Sequence, residues 1–261
     1  MRVVFLTQDD PLYILPFFEE FFRLKPEKAE VLAVFTCKTM GDRGRLKLLR
    51  ELLHLYGPIG LARLLCRVAA SKALALLPAR RSTRKFHSIG QLCRAFGVRH
   101  VLFGNPNQEQ YRAQIAAQSP DLLVSIACPY ILKQALLELP PLGCINMHHA
   151  PLPRYKGMMP TFWQMYHGER SVGVTIHTMA AKVDEGEALL QESLPIEEGE
   201  SLDHLIRRGK RHGAHCMARV LSAIAASSQI TMGLDHSRGS YFTFPTPSEM
   251  KEFRRRGFRA I

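Results

Sequence analysis

The chain has 261 residues, of which 46% are hydrophobic, and its 35 lysine and arginine residues against 23 aspartate and glutamate residues give a formal net charge of +12. This length and composition fit one large α/β domain, or one domain with a small appendage, and exclude collagen-like, mucin-like and disordered classes. The charge favours an anionic partner, such as nucleic acid, a phosphorylated metabolite, a polyglutamylated folate or an anionic membrane, but it fits a generally basic soluble surface equally well.

The N-terminal segment MRVVFLTQDD predicts a buried first strand over residues 3–6. Its apolar run is too short for a signal peptide, and no uninterrupted apolar segment of the sequence reaches the ~18–20 residues of a membrane span. The six cysteines include no C-x-x-C pair, so a zinc ribbon or a thioredoxin-type site is not expected. A reducing cytoplasm is the expected compartment.

The first half of the chain alternates short apolar runs with helix-like segments. Strands are predicted at 3–6, 31–35, 100–103, 121–125 and 143–147, and helices at 12–24, 88–96, 108–118 and most of 129–139. Such alternation predicts an α/β fold, in which a parallel sheet is covered by helices on both faces. Ligands of these sheets bind beyond the carboxyl ends of the strands.

A helical insertion, from about residue 41 to residue 87, interrupts this alternation. Two helices rich in leucine and arginine are predicted at 45–56 and 59–77, divided by Gly57-Pro58. Amphipathic helices of this kind ordinarily pack on their own domain, and this interpretation is favoured. The alternative is a helix pair that touches a membrane surface. The basic residues that follow, Arg80, Arg81, Arg84 and Lys85, are predicted to form a solvated loop.

The second half of the chain predicts strands at 172–178 and 189–195 and one long helix over 201–226. Ser201 is the predicted N-cap, and Asp203 adds negative charge to the first turn. We therefore expect one domain over 1–226, with its insertion, and a short C-terminal extension over 227–261. The aromatic segment 239–245 either covers a cleft, supports a homodimer or packs as a simple terminus.

Polar side chains that can carry chemistry follow the strand predicted at 143–147. Asn146 and His148 are two residues apart, so both side chains point to one side if the chain stays extended. An amide and an imidazole can donate hydrogen bonds to a developing oxyanion, and imidazole also moves protons near neutral pH. Taken alone, such a pair more often caps a loop beside a surface histidine. The turn VDEG at 183–186 strengthens the pattern, because it can return the Asp184 carboxylate to the imidazole and hold its tautomer.

Three stretches resemble the folate-dependent formyltransferases: PDLLVSIACPYIL, LGCINMHHAPLPRYKGMMPTFWQMYHGE and GVTIHTMAAKVDEGEALLQESLPI. That family includes methionyl-tRNA formyltransferase, glycinamide ribonucleotide formyltransferase and the sugar N-formyltransferases. The resemblance is close over 119–196 and extends more weakly back to the first strand. It implies a Rossmann-like fold and an enzyme of one-carbon metabolism that takes a formyl group from 10-formyltetrahydrofolate, with no metal.

The resemblance implies that Asn146, His148 and Asp184 are catalytic. A neutral amine would attack the formyl carbon, Asn146 and protonated His148 would stabilise the oxyanion, and Asp184 would orient His148; which group is the formal base stays open. The folate would lie against a loop and a turn formed by Ala127, Cys128, Pro129, Tyr130, Ile131, Leu132, Val183 and Glu185. The acceptor side would include Asp9, Asp10, Tyr13, Lys156, Gly157 and Met158, although Asp9 and Asp10 could equally cap the first helix.

One departure from the family follows the catalytic histidine. Many members have Pro-Ser or Gly-Ser there, whereas this chain has His149-Ala150, so any role of that serine hydroxyl is absent. His149 is either a second catalytic group or, as we favour, a loop histidine that faces solvent or the sheet.

The choice of acceptor follows from neighbouring features. Glycinamide ribonucleotide is not expected, because residues 6–11, LTQDDP, lack the glycines of a phosphate-binding loop. Methionyl-tRNA is discounted, although a basic protein suits RNA, because 227–261 is too short for the C-terminal β-barrel of that subfamily. An amino sugar on a nucleotide carrier is the expected acceptor, with a basic cleft for its pyrophosphate.

Two further hypotheses stay open. A formyltetrahydrofolate deformylase, which is a hydrolase, shares the Asn, His, Asp, His-His and D-E-G features, but it bears an N-terminal regulatory domain and this sequence starts at the first strand. A non-enzymatic folate-binding or membrane-binding interaction protein is disfavoured, because all three polar residues are present.

Overall fold

The computed structural model of the chain describes residues 1–26, 28–38, 44–229 and 231–261, and the predicted start of the insertion at 41–43 lies outside them. The strands are β1 (Arg2–Gln8), β2 (Glu30–Cys37), β3 (Arg99–Leu102), β4 (Leu122–Ile126), β5 (Cys144–His148), β6 (Lys156–Gly157), β7 (Ser171–Thr178), β8 (Ala188–Pro195) and β9 (Tyr241–Phe242). The helices are α1 (Leu15–Leu24), α2 (Arg45–Leu74), α3 (Ile89–Phe96), α4 (Glu109–Ala116), α5 (Gln134–Leu137), α6 (Pro160–Tyr166), α7 (Leu202–Ala225) and α8 (Pro247–Arg255).

Seven strands form the central sheet in the order β3-β2-β1-β4-β5-β7-β8. The first five strands of this order are parallel, and β7 and β8 continue the sheet in antiparallel pairing. The predicted α/β class with a mostly parallel sheet is therefore confirmed. The register sets Asn146 of β5 opposite His177 of β7, and His148 opposite Thr175.

Apolar side chains cover both faces of the sheet. On one face Phe5 of β1 packs in edge contact with Phe18 and Phe21 of α1, and α7 completes this layer. On the other face the core contains Leu6, Phe35, Ile115, Leu123 and Leu136. Complete burial of such a side chain stabilises the fold by roughly 1.5–3 kcal/mol, so these layers fix the strand ends from which the site is built.

Two predicted helices are shorter in the structure. Helix α1 begins at Leu15 rather than residue 12, because the Asp10 carboxylate accepts hydrogen bonds from the amides of Leu12 and Tyr13 and forms a turn first. The helix predicted over most of 129–139 is wrong except for Gln134–Leu137. Asn107 holds the preceding loop open, since its side chain bonds the Ile131 carbonyl at 2.9 Å and the Lys133 amide at 2.8 Å.

The insertion is a bent helix that crosses the outside of the domain. Gly57 has a φ of 68° and interrupts α2 where the sequence predicted a break, since glycine adopts positive φ at little cost. Leu55, Leu61 and Leu64 are buried against the domain. By length and composition alone, Leu46–Leu74 could cross a membrane: its most apolar window has a mean hydropathy of 1.2, and 17% of that window is buried.

The C-terminal extension packs back on the domain. Strand β9 pairs with β6 in parallel, and the Trp163 indole donates a hydrogen bond to the Thr243 carbonyl at 3.0 Å. Phe253 of α8 stacks on Phe162 of α6 in a core that also contains Leu55 of α2. The extension therefore joins the insertion and the loop after β5 into one packed layer.

Candidate active site

Asn146 and His148 occupy the end of β5 at the carboxyl edge of the parallel strands. The strand continues through His148, so the two alternate positions share one face of the chain, as predicted. His148 is buried, and its Nε2 lies 2.8 Å from the Tyr155 carbonyl oxygen. Because a carbonyl only accepts, the His148 ring carries a proton on Nε2 and turns Nδ1 toward the opposite side.

Asp184 lies between two histidines. Its carboxylate oxygens are 3.6 Å from Nδ1 of His148 and 3.6 Å from Nε2 of His177. The residue has a φ of 55°, in the left-handed region, and the Gly157 amide donates to its Oδ2 at 3.0 Å. The Gly157 amide therefore fixes the carboxylate in place between the two rings.

His177 is the site residue that sequence reasoning did not select. Its Nδ1 is 2.8 Å from the Thr178 carbonyl oxygen, and its Nε2 is 3.1 Å from Nδ2 of Asn146. The first contact requires a proton on Nδ1, so a neutral ring accepts one of the two amide hydrogens of Asn146. His177 thereby sets the direction in which the Asn146 amide points.

Electrostatics keep His177 neutral. Burial, followed by the charge of His148, lowers the pKa of His177 to about 4, although Asp184 opposes the shift. A ring with this pKa is an acceptor at neutral pH. Asp184 is therefore flanked by two imidazoles with different partners. His177 orients the Asn146 amide, and His148 donates to the Tyr155 carbonyl.

The predicted folate-facing segments lie beside this cluster in the fold. Residues 127–132 follow β4, the strand next to β5, and Ala127 has a φ of 50°. Ile131 is 65% exposed, whereas the Leu132 side chain is buried in the core, so Leu132 can offer only its main chain to a ligand. In the turn that carries Asp184, Val183 is 39% exposed, and Glu185 forms an ion pair with Lys156 at 3.0 Å.

Of the acceptor-side residues predicted just after the first strand, Asp10 and Tyr13 are half-buried, whereas Asp9 is exposed. Asp10 closes the turn before α1 and does not cap the helix itself, whose N-cap is Ile14, so the alternative prediction is wrong for this residue. The Tyr13 hydroxyl lies 2.9 Å from that of Tyr56 in α2. Burial raises the pKa of Tyr13 and raises that of Tyr56 to about 12.

Burial also lowers the pKa of Lys210 to about 7, against the attraction of Asp10. Lys210 lies on α7 and is only 7% exposed, although its neighbours Arg207, Arg208 and Arg211 are also basic.

Lys156, Gly157 and Met158 are held by the C-terminal extension. The Lys156 and Met158 amides donate to the carbonyls of Ser240 and Phe242, each at 2.8 Å. A Cβ on Gly157 would lie 2.3 Å from the Phe242 carbonyl oxygen, and its φ is 92°. Only glycine fits this close approach, which places the amide that donates to Asp184.

His149 points away from the cluster. The residue is 8% exposed, and its ring lies beside Gly209 of α7. Burial, and then the charges of Lys210 and His148, hold the pKa of His149 well below its usual value. His149 therefore does not face solvent, which was one of the two directions in the favoured prediction, because the ring packs under α7.

The chain is similar to known proteins over about half of its length. Residues 98–221 match the formyl transferase family. The methionyl-tRNA formyltransferase of Trichlorobacter lovleyi is 38% identical over 128 residues, which are 49% of this chain and 40% of the relative, and that of Syntrophus aciditrophicus is 41% identical over 123 residues, which are 47% of this chain and 39% of the relative. The chain thus spans about two fifths of the length of these curated relatives.

Solved structures share the fold at low sequence identity. A sugar N-formyltransferase from Shewanella sp FDAARGOS_354 superposes with a TM-score of 0.57 and 17% identity, covering 93% of this chain and 76% of that chain. Glycinamide ribonucleotide transformylase 1 from Symbiobacterium toebii gives a TM-score of 0.57 and 19% identity, covering 90% and 94%. The resemblance that the sequence predicted is confirmed, because residues 98–221 of the chain match the formyl transferase family.

Proposed function

We propose that the chain is a folate-dependent N-formyltransferase, which moves the formyl group of 10-formyltetrahydrofolate to a primary amine. The observation that carries this proposal is the convergence of one amide, two imidazoles and one carboxylate at the end of β5. Asn146, His177, Asp184 and His148 form a chain of contacts of 3.1, 3.6 and 3.6 Å. Donors and a proton carrier held this closely suit acyl transfer to nitrogen.

The surroundings of the cluster fit a folate. Ile131 and Val183 leave apolar side chains exposed on the loop and the turn that adjoin the cluster, which suits a flat heteroaromatic ring. The left-handed backbone at Ala127 and Asp184 turns main-chain groups sharply at both segments, which suits hydrogen bonding to the ring edge. When bound, the folate supplies an activated formyl group. We propose that Ala127, Cys128, Pro129, Tyr130, Ile131, Leu132, Val183 and Glu185 line this half of the site.

Asn146 and His148 are proposed to stabilise the negative charge that develops on the formyl oxygen. His177 takes one hydrogen of the Asn146 amide, and the second hydrogen can be donated to that oxygen. His148, whose Nδ1 lies 3.6 Å from the Asp184 carboxylate, is proposed to supply the second stabilising group. Removing a single donor of this kind typically lowers kcat by about 100-fold to 1,000-fold in other enzymes.

Proton balance assigns the remaining role. The acceptor nitrogen forms a bond to the formyl carbon while the bond from that carbon to the folate nitrogen breaks. One proton leaves the acceptor amine, and one proton reaches the released folate nitrogen. Asp184 and His148 are proposed to carry it between the two nitrogens, so the protein ends the reaction in its starting state.

The proposed acceptor is an amino sugar on a nucleotide carrier, used in the cytoplasm. The net charge of +12 suits an anionic carrier, and the carboxylate of Asp9 and the hydroxyl of Tyr13 suit a sugar. We propose that Asp9, Asp10, Tyr13, Lys156, Gly157 and Met158 lie on this side. The six cysteines are free thiols, as in a reducing compartment. Methionyl-tRNA is the second candidate acceptor, because the matched relatives bear that name and a basic chain suits RNA.

The test is to incubate the purified chain with 10-formyltetrahydrofolate in three arms. The first contains no amine, the second a panel of nucleotide-linked amino sugars, and the third charged initiator tRNA. We expect a formamide product in the second arm and little free formate in the first. Rapid formate release without amine would replace the transferase by a deformylase, and product in the third arm alone would replace the sugar by tRNA. No folate turnover in any arm would overturn the proposal.

A further inference from the structure

The second arm of α2, after Gly57, presents an apolar stripe to solvent. Ile59, Ala62, Leu65, Cys66, Ala69, Ala70 and Ala73 form this stripe, at intervals of three and four residues that place them on one side of the helix. All seven are exposed, with Ile59 at 70% and Leu65 at 51%. Leu76 and Leu77, just past the helix, are 87% and 56% exposed. Isolated apolar residues on a surface are ordinary, but a continuous stripe of this length marks an interaction site.

The sequence around the stripe is purely cationic. From Leu52 to Gln108 there is no aspartate or glutamate, whereas the same segment contains nine lysine and arginine residues. Arg63 and Lys72 are exposed on α2 itself, and Arg80, Arg81, Arg84 and Lys85 are exposed just beyond it. An apolar stripe bordered by uninterrupted positive charge is complementary to a surface that is apolar below and anionic above.

The opposite side of α2 is fastened to the domain. Arg67 forms an ion pair with Asp203 of α7 at 3.0 Å, and the side-chain amide of Gln91 donates to the carbonyls of Leu74 and Leu77. Leu61 and Leu64 are buried beneath the helix. A helix held along its length in this way can lie on a bilayer but cannot cross one without leaving the domain.

We propose that the stripe docks on an anionic membrane surface, with the flanking lysines and arginines at the level of the phosphate groups. The apolar side chains enter the boundary between headgroups and acyl chains, and the basic residues add attraction to anionic lipid. This inference concerns the surface alone and does not depend on the catalytic proposal.

The experiment is flotation of the full chain with vesicles of phosphatidylcholine containing about 30% phosphatidylglycerol, beside vesicles of phosphatidylcholine alone. The unsubstituted chain is expected to float with the anionic vesicles, and about 0.5 M NaCl is expected to weaken this binding at least about tenfold. The double substitution Ile59→Asn with Leu65→Asn is expected to lower the affinity by at least about tenfold, because two apolar side chains leave the boundary region.

A matched control uses the same change elsewhere. Leu102 and Leu142 are 72% and 52% exposed, so Leu102→Asn with Leu142→Asn removes equally exposed leucines outside the insertion and should leave vesicle binding within about twofold. Circular dichroism and thermal unfolding check that both doubles fold. His148→Asn should float like the unsubstituted chain, which separates this proposal from the catalytic one. Docking is overturned if the chain ignores anionic vesicles, or if both doubles bind alike. It is likewise overturned if Ile59→Asn with Leu65→Asn only dissociates an oligomer in sedimentation velocity, which would assign the stripe to a second copy.

Discussion

The cluster at the end of β5 and the helical insertion use their residues in opposite ways. In the cluster, His148 and Asp184 are each less than 10% exposed, and each is held by a backbone partner, the Tyr155 carbonyl or the Gly157 amide. In the insertion, by contrast, Ile59 and Leu65 are more than half exposed. The catalysis proposed for the first region depends on atomic distances, whereas the membrane docking proposed for the second depends on apolar area and total charge.

The two regions are therefore expected to tolerate different changes. A shift of about 1 Å in the cluster would separate hydrogen-bond donors from acceptors. In other enzymes a misplacement of this size can lower the reaction rate about a hundredfold. A comparable shift of the α2 stripe leaves its area and charge unchanged. Substitutions in the two regions should therefore separate catalysis from stability and surface binding.

The largest effect is expected at the ring next to Asp184. His148→Asn should lower kcat/KM for formyl transfer by about a thousandfold or more, equal to about 4 kcal/mol, because the imidazole proposed to stabilise the developing oxyanion is lost. His149→Asn is the neighbouring control, since this ring packs under α7 and should change the melting temperature more than kcat/KM. Similar losses of kcat/KM in both variants would contradict the assignment.

A smaller loss is expected where the C-terminal extension meets the cluster. Gly157→Ala places a Cβ 2.3 Å from the Phe242 carbonyl oxygen, so β6 and β9 must separate and the amide must move away from Asp184. We expect kcat to fall about tenfold to a hundredfold and the free energy of unfolding to fall by about 1–3 kcal/mol. Gly233→Ala is the control, because its Cβ would meet no atom within 4 Å. An unchanged kcat in Gly157→Ala would show that the C-terminal extension does not position the cluster.

Lys210 connects stability to pH in the layer between the two regions. Burial lowers the pKa of its amine from 10.5 to about 7, so the unfolded chain binds the proton that the folded chain releases over this range. The free energy of unfolding should therefore rise with pH between about 7 and 10.5, by at most about 1.4 kcal/mol per pH unit from this group. In Lys210→Met this contribution is absent, so urea unfolding at pH 7 and pH 9 should show a smaller rise. Equal rises in both proteins would show that the amine titrates normally.

The smallest effect is expected at the attachment of the insertion. Arg67 is 34% exposed in its side chain and pairs with Asp203, which also binds Arg207. Arg67→Gln should lower the free energy of unfolding by about 1 kcal/mol or less and leave kcat/KM unchanged. Arg63→Gln, an exposed neighbour on the same helix, should change neither. A catalytic defect in Arg67→Gln would show that the two regions are coupled.

Local patterns in the sequence were sufficient to predict part of the site. The shared direction of Asn146 and His148 is predictable from the alternation of a strand that continues through His148. The turn at Asp184 is predictable from its D-E-G pattern and the family resemblance. The sequence pattern does not identify His177 as a site residue, because its position depends on the antiparallel register that sets it opposite Asn146. The alternating positions 173, 175 and 177 of that strand are the signal that could have identified it.

Long-range contacts account for what the sequence did not reveal. The two-residue pairing of β6 with β9 joins segments about 85 residues apart, and two residues carry no periodicity. The burial of Lys210 depends on how α7 packs over the turn at Asp10 rather than on its own basic neighbours. Helix α5 starts only at Gln134 because Asn107, distant in sequence, bonds the Ile131 carbonyl and the Lys133 amide of the loop before it.

The strand pairing of Lys156 and Gly157 has a consequence for biosynthesis. Among the described residues, β9 is the only strand partner of β6, and it is made of Tyr241 and Phe242, close to the C-terminal end of the sequence. A ribosome translates nearly all of this sequence before that partner emerges, since synthesis proceeds from the N-terminus. The sheet can therefore fold on the nascent chain while the backbone beside the Asp184 carboxylate is still unpaired, and the geometry around that carboxylate is completed only after residues 241–242 have emerged from the ribosome.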